Sequence, residues 1–264
     1  MLRHGAFYPS IGNHELENDD EYDQYYLRFF DKAGFGGTDA YYRVDSGGVS
    51  FFTLNTEATL DAASEQFGWF KGEIAAAKAR PGYRFSVVYF HKPFVTCGDK
   101  SQNGAARQLF EPLFEEHGVA LVVQGHMHGY ERFEVPLSDP SKSLTYLTVG
   151  GGGGLLGDID ANADRPVCEQ RKSHGKYHHM ALLEITSSGI AGQVFDPDGV
   201  TRDEADHGRA PRRDDELVVL LDGQEPLHEL SRLGVGAVQL RRVDEQHRSA
   251  QAVAHGGRRH QQRV

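Results

Sequence analysis

Short apolar runs separated by polar turns organise the first three quarters of the chain. Tyr8–Ile11 runs into the polar cluster Gly12, Asn13, His14, Glu15. "AYYRV" (Ala40–Val44) and "VSFFTLN" (Val49–Asn55) flank "DSGG", the pattern of an antiparallel hairpin. Phe67, Phe70, Ile74 and Ala77 recur at helical spacing, with Ser64 placed to cap the helix and Pro81–Gly82 to end it. "FSVVYF" (Phe85–Phe90) and "VALVVQ" (Val119–Gln124) are nearly unbroken apolar runs rich in β-formers, which predicts strands buried on both faces. Between them Leu109, Phe110, Leu113 and Phe114 mark a helix over roughly Ala105–His117, closed by Gly118. "LTYLTV", "HHMALLEIT" and "IAGQVF" predict later strands. This order predicts an α/β (α+β) fold with layered sheets and helices outside.

The texture changes after Phe195. Residues 1–196 read as one domain, 197–216 as a charged Pro- and Gly-containing linker, and 217–264 as an unassigned tail whose last 15 residues are expected to be disordered. Every lysine precedes this tail. At 264 residues the chain can bury a substantial core, and its 11 Tyr and 15 Phe supply the bulk. The net charge of -10 argues against a nucleic-acid surface and against an anionic membrane partner. No apolar window is long enough to span a membrane, and "MLRHGAFYPS" is a poor signal peptide. Two cysteines, Cys97 and Cys168, match no zinc spacing. One disulfide stays open as a reading, with two idle thiols the favoured one.

The polar residues collect where apolar runs end. Asn13 and His14 follow the first run, His91 follows "FSVVYF", and His126 and His128 follow "VALVVQ". Open α/β sheets place their sites at such strand ends. Amide oxygen and imidazole nitrogen are both ligands for zinc, iron or manganese. The glycine run Gly150–Gly154 lacks the residues of a phosphate loop and reads as backbone that passes close to a site or takes positive φ. No nucleophile elbow is present, so hydrolysis assisted by metal ions suits these residues better than a protein nucleophile.

"GNHE" (Gly12–Glu15), "VYFH" (Val88–His91) and "GHMHGYER" (Gly125–Arg132) together resemble three motif blocks of the calcineurin-like metallophosphoesterases, and "GYER" resembles the purple acid phosphatase branch. The resemblance covers about Gly5–Asp196. It implies a two-sheet β-sandwich flanked by helices and an acid phosphatase-like phosphoric ester hydrolase acting through metal-bound hydroxide at a dinuclear site. Its cofactors would be two metal ions, iron paired with zinc, manganese or iron, and its partner a small phosphate ester. Carried over, Asn13, His91 and His126 would ligate one ion and His128 the other. His14 would contact the phosphate and protonate the leaving group, with Glu15, Tyr130, Glu131 and Arg132 in supporting positions. Members of this branch are often secreted or periplasmic, and the sequence itself assigns neither compartment nor oligomeric state.

The pattern departs from the family before Gly12. Two further blocks, supplying aspartates and a metal-binding tyrosine, should precede "GNHE", yet none of the residues before Gly12 is acidic. Asp19, Asp20 and Asp23 are poor replacements. The expectation is therefore an N-terminally truncated chain with an uncovered strand edge, one weakly held metal and little turnover. The competing reading is a non-catalytic module that keeps the sandwich for interaction.

Overall fold

The computed structural model describes residues 6–16, 40–186, 189–208, 217–222 and 236–242, with backbone alone for Ala6, 205–208 and the last two segments. Two sheets carry the fold. The first has seven strands in the order β2 (Tyr42–Ser46), β3 (Val49–Leu54), β4 (Phe85–Phe90), β5 (Val119–Gln124), β7 (Ser143–Val149), β6 (Tyr130–Pro136) and β8 (Arg171–Gly175). Strands β3, β4, β5 and β7 are mutually parallel, and the flanking pairs are antiparallel. The second sheet is antiparallel throughout, in the order β1 (Ala6–Ser10), β13 (Gly236–Arg242), β12 (Leu217–Asp222), β9 (Met180–Thr186), β10 (Gly189–Phe195) and β11 (Thr201–Gly208).

The apolar runs are continuous because both faces of the central strands are covered. Phe51, Val87, Leu121 and Leu147 face Leu183, Ile185, Ile190 and Val194 of the second sheet. Their neighbours Phe52, Val88, Val122 and Tyr146 face the opposite way, against α1 (Glu65–Lys78) and α2 (Gly104–His117). A side-chain period of two thus sends alternate residues of one run into two separate cores. The helices dock through Phe70, Ile74, Phe110 and Phe114, all fully buried, with Phe70 and Phe114 edge to face at 5.7 Å. Ser64 caps α1 by accepting from the Phe67 amide at 3.2 Å, and Asn103 caps α2 by accepting from the Ala106 amide at 3.0 Å. Gly118 closes α2 in the left-handed conformation its Cα permits at little cost.

Two expectations are corrected. Within the interval read as a linker, Thr201–Gly208 is strand β11, paired with β10. Its charged sequence suits an edge strand whose outer face meets water, so composition concealed it. Cys97 and Cys168 form a disulfide across a separation of 71 residues. No local pattern marks such a pair; the fold brings their Cα atoms to 5.9 Å, inside the bridging range. Strand β1 stands at the end of its sheet, with β13 on one side. Asp19, Asp20, Asp23 and the final 15 residues lie outside the described residues.

Candidate metal centre

Three segments end at one point. Strands β4 and β5 are parallel neighbours with Phe90 opposite Gln124, and the Gly125 amide donates to the His91 carbonyl at 2.9 Å, extending the ladder one step. Strands about 4.8 Å apart therefore deliver the next side chains into contact. His91 Nε2 lies 3.0 Å from His126 Nδ1, the rings edge to face. The third segment follows β1, where a 3-10 turn at Asn13–Leu16 places Asn13 Oδ1 2.8 Å from His91 Nε2. The turn lies against the His91 ring, for a Cβ at Gly12 would fall 2.9 Å from it. Tyr42 donates its hydroxyl to the Pro9 carbonyl at 2.6 Å and fixes β1 over the first sheet.

Electrostatics keep these donors available. Burial first, then the neighbouring His126, pushes the His91 imidazole well below its ordinary value. Burial first, then Lys100 and Lys92, lowers His126 to about 4. Both rings are neutral at pH 7, the form that binds a metal. Donor separations of 2.8 and 3.0 Å match adjacent corners of a coordination sphere with bonds of about 2.1 Å, where right-angled corners stand about 3.0 Å apart. The residues fit one cation held by an amide oxygen and two imidazoles. Among the described residues, no group of three or more His, Cys, Asp or Glu placed to hold a metal ion occurs, this cradle included, since its third donor is an amide.

His128 stands next to this cradle. Its Nδ1 donates to the Leu155 carbonyl at 2.8 Å, so Nε2 carries the lone pair, as in imidazoles oriented for a metal. His14 follows Asn13 on the 3-10 turn, and its field lowers both His91 and His126. Glu15 is fully buried and accepts the Gly12 amide at 2.6 Å, holding the turn closed. Burial raises its carboxyl to about 7, with the Gly12 and Glu15 amides opposing the rise.

Tyr130, Glu131 and Arg132 act on the frame. Glu131 is fully buried and accepts from the Thr96 hydroxyl at 2.6 Å, the Cys97 amide at 2.8 Å and Arg171 at 3.2 Å, which ties down the loop after His91. Tyr130 and Arg132 both donate to Asp203 of β11, at 2.6 and 2.7 Å. Two residues of this frame escaped the sequence reading. Gln124 ends an otherwise apolar run, and that polarity was its signal. Its side chain accepts the Phe94 amide at 3.1 Å and donates to Val95 and Thr148, anchoring the same loop to β5 and β7. Asp203 offered no signal. In the glycine run, close approach is realised and positive φ is not: a Cβ at Gly150 would lie 2.0 Å from the Met127 carbonyl oxygen.

Residues 2–130 match the sequence model of the family described as calcineurin-like phosphoesterase. Purple acid phosphatase 15 of Arabidopsis thaliana is 29% identical over 166 residues, which take in 59% of this chain and 31% of that protein. Probable inactive purple acid phosphatase 9 of the same plant is 32% identical over 97 residues, 35% of this chain and 15% of its own length. The purple acid phosphatase PPD1 of yellow lupin, Lupinus luteus, shares the fold with a TM-score of 0.55 at 16% identity, over 65% of this chain and 33% of that one. The chain spans about a third of the length of the first curated relatives it matches. The matched segment, just under half of the chain, thus resembles the calcineurin-like phosphoesterases, and the relatives named for it are purple acid phosphatases.

Proposed function

We propose that this chain is a metal-dependent phosphoric ester hydrolase, acid phosphatase-like, whose chemistry takes place between two cations. The observation that carries the reading is the convergence of Asn13 Oδ1, His91 Nε2 and His126 Nδ1. These three would hold the first ion, and His128 Nε2 would contribute to the second together with ligands not among the described residues. Such ions, when bound, supply Lewis acidity to a phosphoryl oxygen and acidify a water molecule.

The remaining steps belong to the protein. The Leu155 carbonyl accepts from His128 Nδ1, which leaves Nε2 as the nitrogen that would face a cation. In this reading His14 would donate a proton to the leaving oxygen, with Glu15 holding its turn through the Gly12 amide. Burial of His91 excludes water from one side of the cradle and prevents its protonation in mild acid. Small phosphate esters are the substrate class in this reading, since a net charge of -10 disfavours nucleic acid.

The test is a titration of the chain with Zn²⁺ and Mn²⁺, followed by hydrolysis of p-nitrophenyl phosphate. The three-ligand cradle should take up one ion loosely, and slow hydrolysis should rise with added metal and vanish in His91→Ala. Hydrolysis indifferent to chelation, or metal uptake unchanged in both His91→Ala and Asn13→Ala, would overturn the proposal.

A further inference from the structure

The segment carrying His126 and His128 consists of two tight turns back to back. The Met127 amide donates to the Gly125 carbonyl at 2.7 Å, and the Gly129 amide donates to the Met127 carbonyl at 2.8 Å. Each bond spans three residues, one turn centred on His126 and the other on His128. His126 takes a φ of 63°, the one positive value at a non-glycine residue among those described. A strained conformation of this kind persists only where its surroundings over-determine it.

Met127 is the shared corner of both turns, and its side chain is fully buried. It occupies a socket with two glycine walls. A Cβ at Gly98, in the loop after His91, would fall 2.2 Å from Met127 Sδ; one at Gly157, in the loop after β7, would fall 2.6 Å from its Cε. The walls are joined to each other, for the Asp99 amide donates to the Asp158 carbonyl at 2.9 Å and the Asp158 amide to Asp99 Oδ2 at 3.0 Å. They are joined to the turns as well, through the Gly157 amide and the His128 carbonyl at 2.8 Å. A methionine normally adapts to its surroundings by rotating. Here the side chain has no exposed surface, so yielding to an added methyl group means rotating into packed neighbours or shifting its own backbone, and that backbone carries both imidazoles.

We propose that Met127 is a positioning residue: its thioether, seated between Gly98 and Gly157, holds the two turns so that His126 meets His91 and His128 presents Nε2 to a cation. The proposal rests on the metal-centre reading for what the imidazoles hold, and on the socket alone for how they are held.

The experiment is a double-variant cycle on Gly98→Ala and Met127→Ala, with Met127→Leu as the conservative replacement. Affinity is read by Zn²⁺ competition titration, and imidazole placement by long-range ¹H–¹⁵N spectra of the metal-free protein. Gly98→Ala and Met127→Ala should each weaken Zn²⁺ binding at least tenfold and shift the His126 and His128 signals, leaving those of His174 in place. Gly98→Ala introduced into Met127→Ala should add less than a threefold loss, because the clashing sulfur is gone. Met127→Leu, close in volume, should stay within threefold of the parent. An equal Gly98→Ala loss in both backgrounds, or unshifted His126 and His128 signals, overturns the proposal. A parent protein that binds no Zn²⁺ refutes the metal-centre reading, and the imidazole spectra then still decide the positioning role. Should Gly98→Ala fail to fold, the Met127→Ala and Met127→Leu pair carries the same decision.

Discussion

Replacing Asp203 by alanine should cost about 3 kcal/mol of stability, although the residue lies in a stretch whose composition reads as a linker. Asp203 accepts the Tyr130 hydroxyl at 2.6 Å and Arg132 Nε at 2.7 Å, joining β11 of one sheet to β6 of the other. Burial pushes its carboxyl up, and the Arg132 and Tyr130 hydrogen bonds more than reverse this, leaving it below the usual range. Its removal strands the hydroxyl of Tyr130, a residue 1% exposed, at a cost of about 1–3 kcal/mol. It also unpairs Arg132, whose side chain is 16% exposed. Losing one partner of a buried pair costs about 3–5 kcal/mol. Arg132 keeps Glu134 at 3.2 Å, so the lower part of that range applies, and the two losses overlap. The assay is urea unfolding at pH 7, where the midpoint should fall at constant slope. Melting should drop by roughly 6–12 °C for a chain of this size. Arg202→Ala is the control: the Arg202 side chain is 46% exposed and Asp196 keeps the Asp198 and Val200 amides, so the change should stay within about 1 kcal/mol. Tyr130→Phe should cost about 1 kcal/mol and make the Asp203 change less costly, since they share one interaction. An Asp203→Ala protein within about 0.5 kcal/mol of the parent would refute the docking of β11.

Acid should expose His179. Burial lowers its imidazole to about 4, with the Tyr177 carbonyl opposing and His178 adding to the shift. The unfolded chain takes up that proton below about pH 6.5, and the folded one only near 4. The contribution is therefore complete above pH 6.5 and lost as pH falls through 4, amounting to about 3 kcal/mol; the stability difference between parent and His179→Asn should narrow over that window in urea titrations. Reducing the Cys97–Cys168 bridge should destabilise the protein by roughly 4 kcal/mol from its loop length, read as a drop in urea midpoint with dithiothreitol. Gln124→Leu, nearly matched in volume, should cost about 2–4 kcal/mol by leaving the Phe94 amide and Val95 carbonyl buried and unpaired. It should also weaken metal uptake, because those groups belong to the loop after His91.

What the sequence made legible was local. The alternating fates of Phe51 and Phe52, or of Val87 and Val88, follow from runs too apolar for a sheet with one wet face. Ser64 and Gly118 bound their helices through chemistry contained within a few residues. His91 and His126 were legible as a pair because parallel strands must release their ends on the same side. The Asp203 clasp, the Cys97–Cys168 bridge and the glycine socket around Met127 were not. Each depends on segments far apart in sequence meeting at one place, and no window along the chain contains both partners. Polarity misled once, at β11, where an edge strand with charges on its outer face has the composition of a loop.

The pairing of Ala6 with Leu240 has a consequence in time. Strand β1 leaves the ribosome well before its ladder partner β13, more than two hundred residues further along the chain. At about 5–20 residues per second, β1 waits on the order of ten to fifty seconds for the strand that completes its hydrogen bonds. Within that interval the helices and the parallel strands β3, β4, β5 and β7 emerge in sequence, so His91 and His126 can be in place before β13 arrives. Contacts of such long sequence separation form late because their loop entropy must be met before any bond repays it. Asn13, attached to β1, is then the last of the three donors to be secured. Assembly of the cradle is ordered by chain topology, and the metal affinity of a nascent chain should appear only when its distal strands arrive.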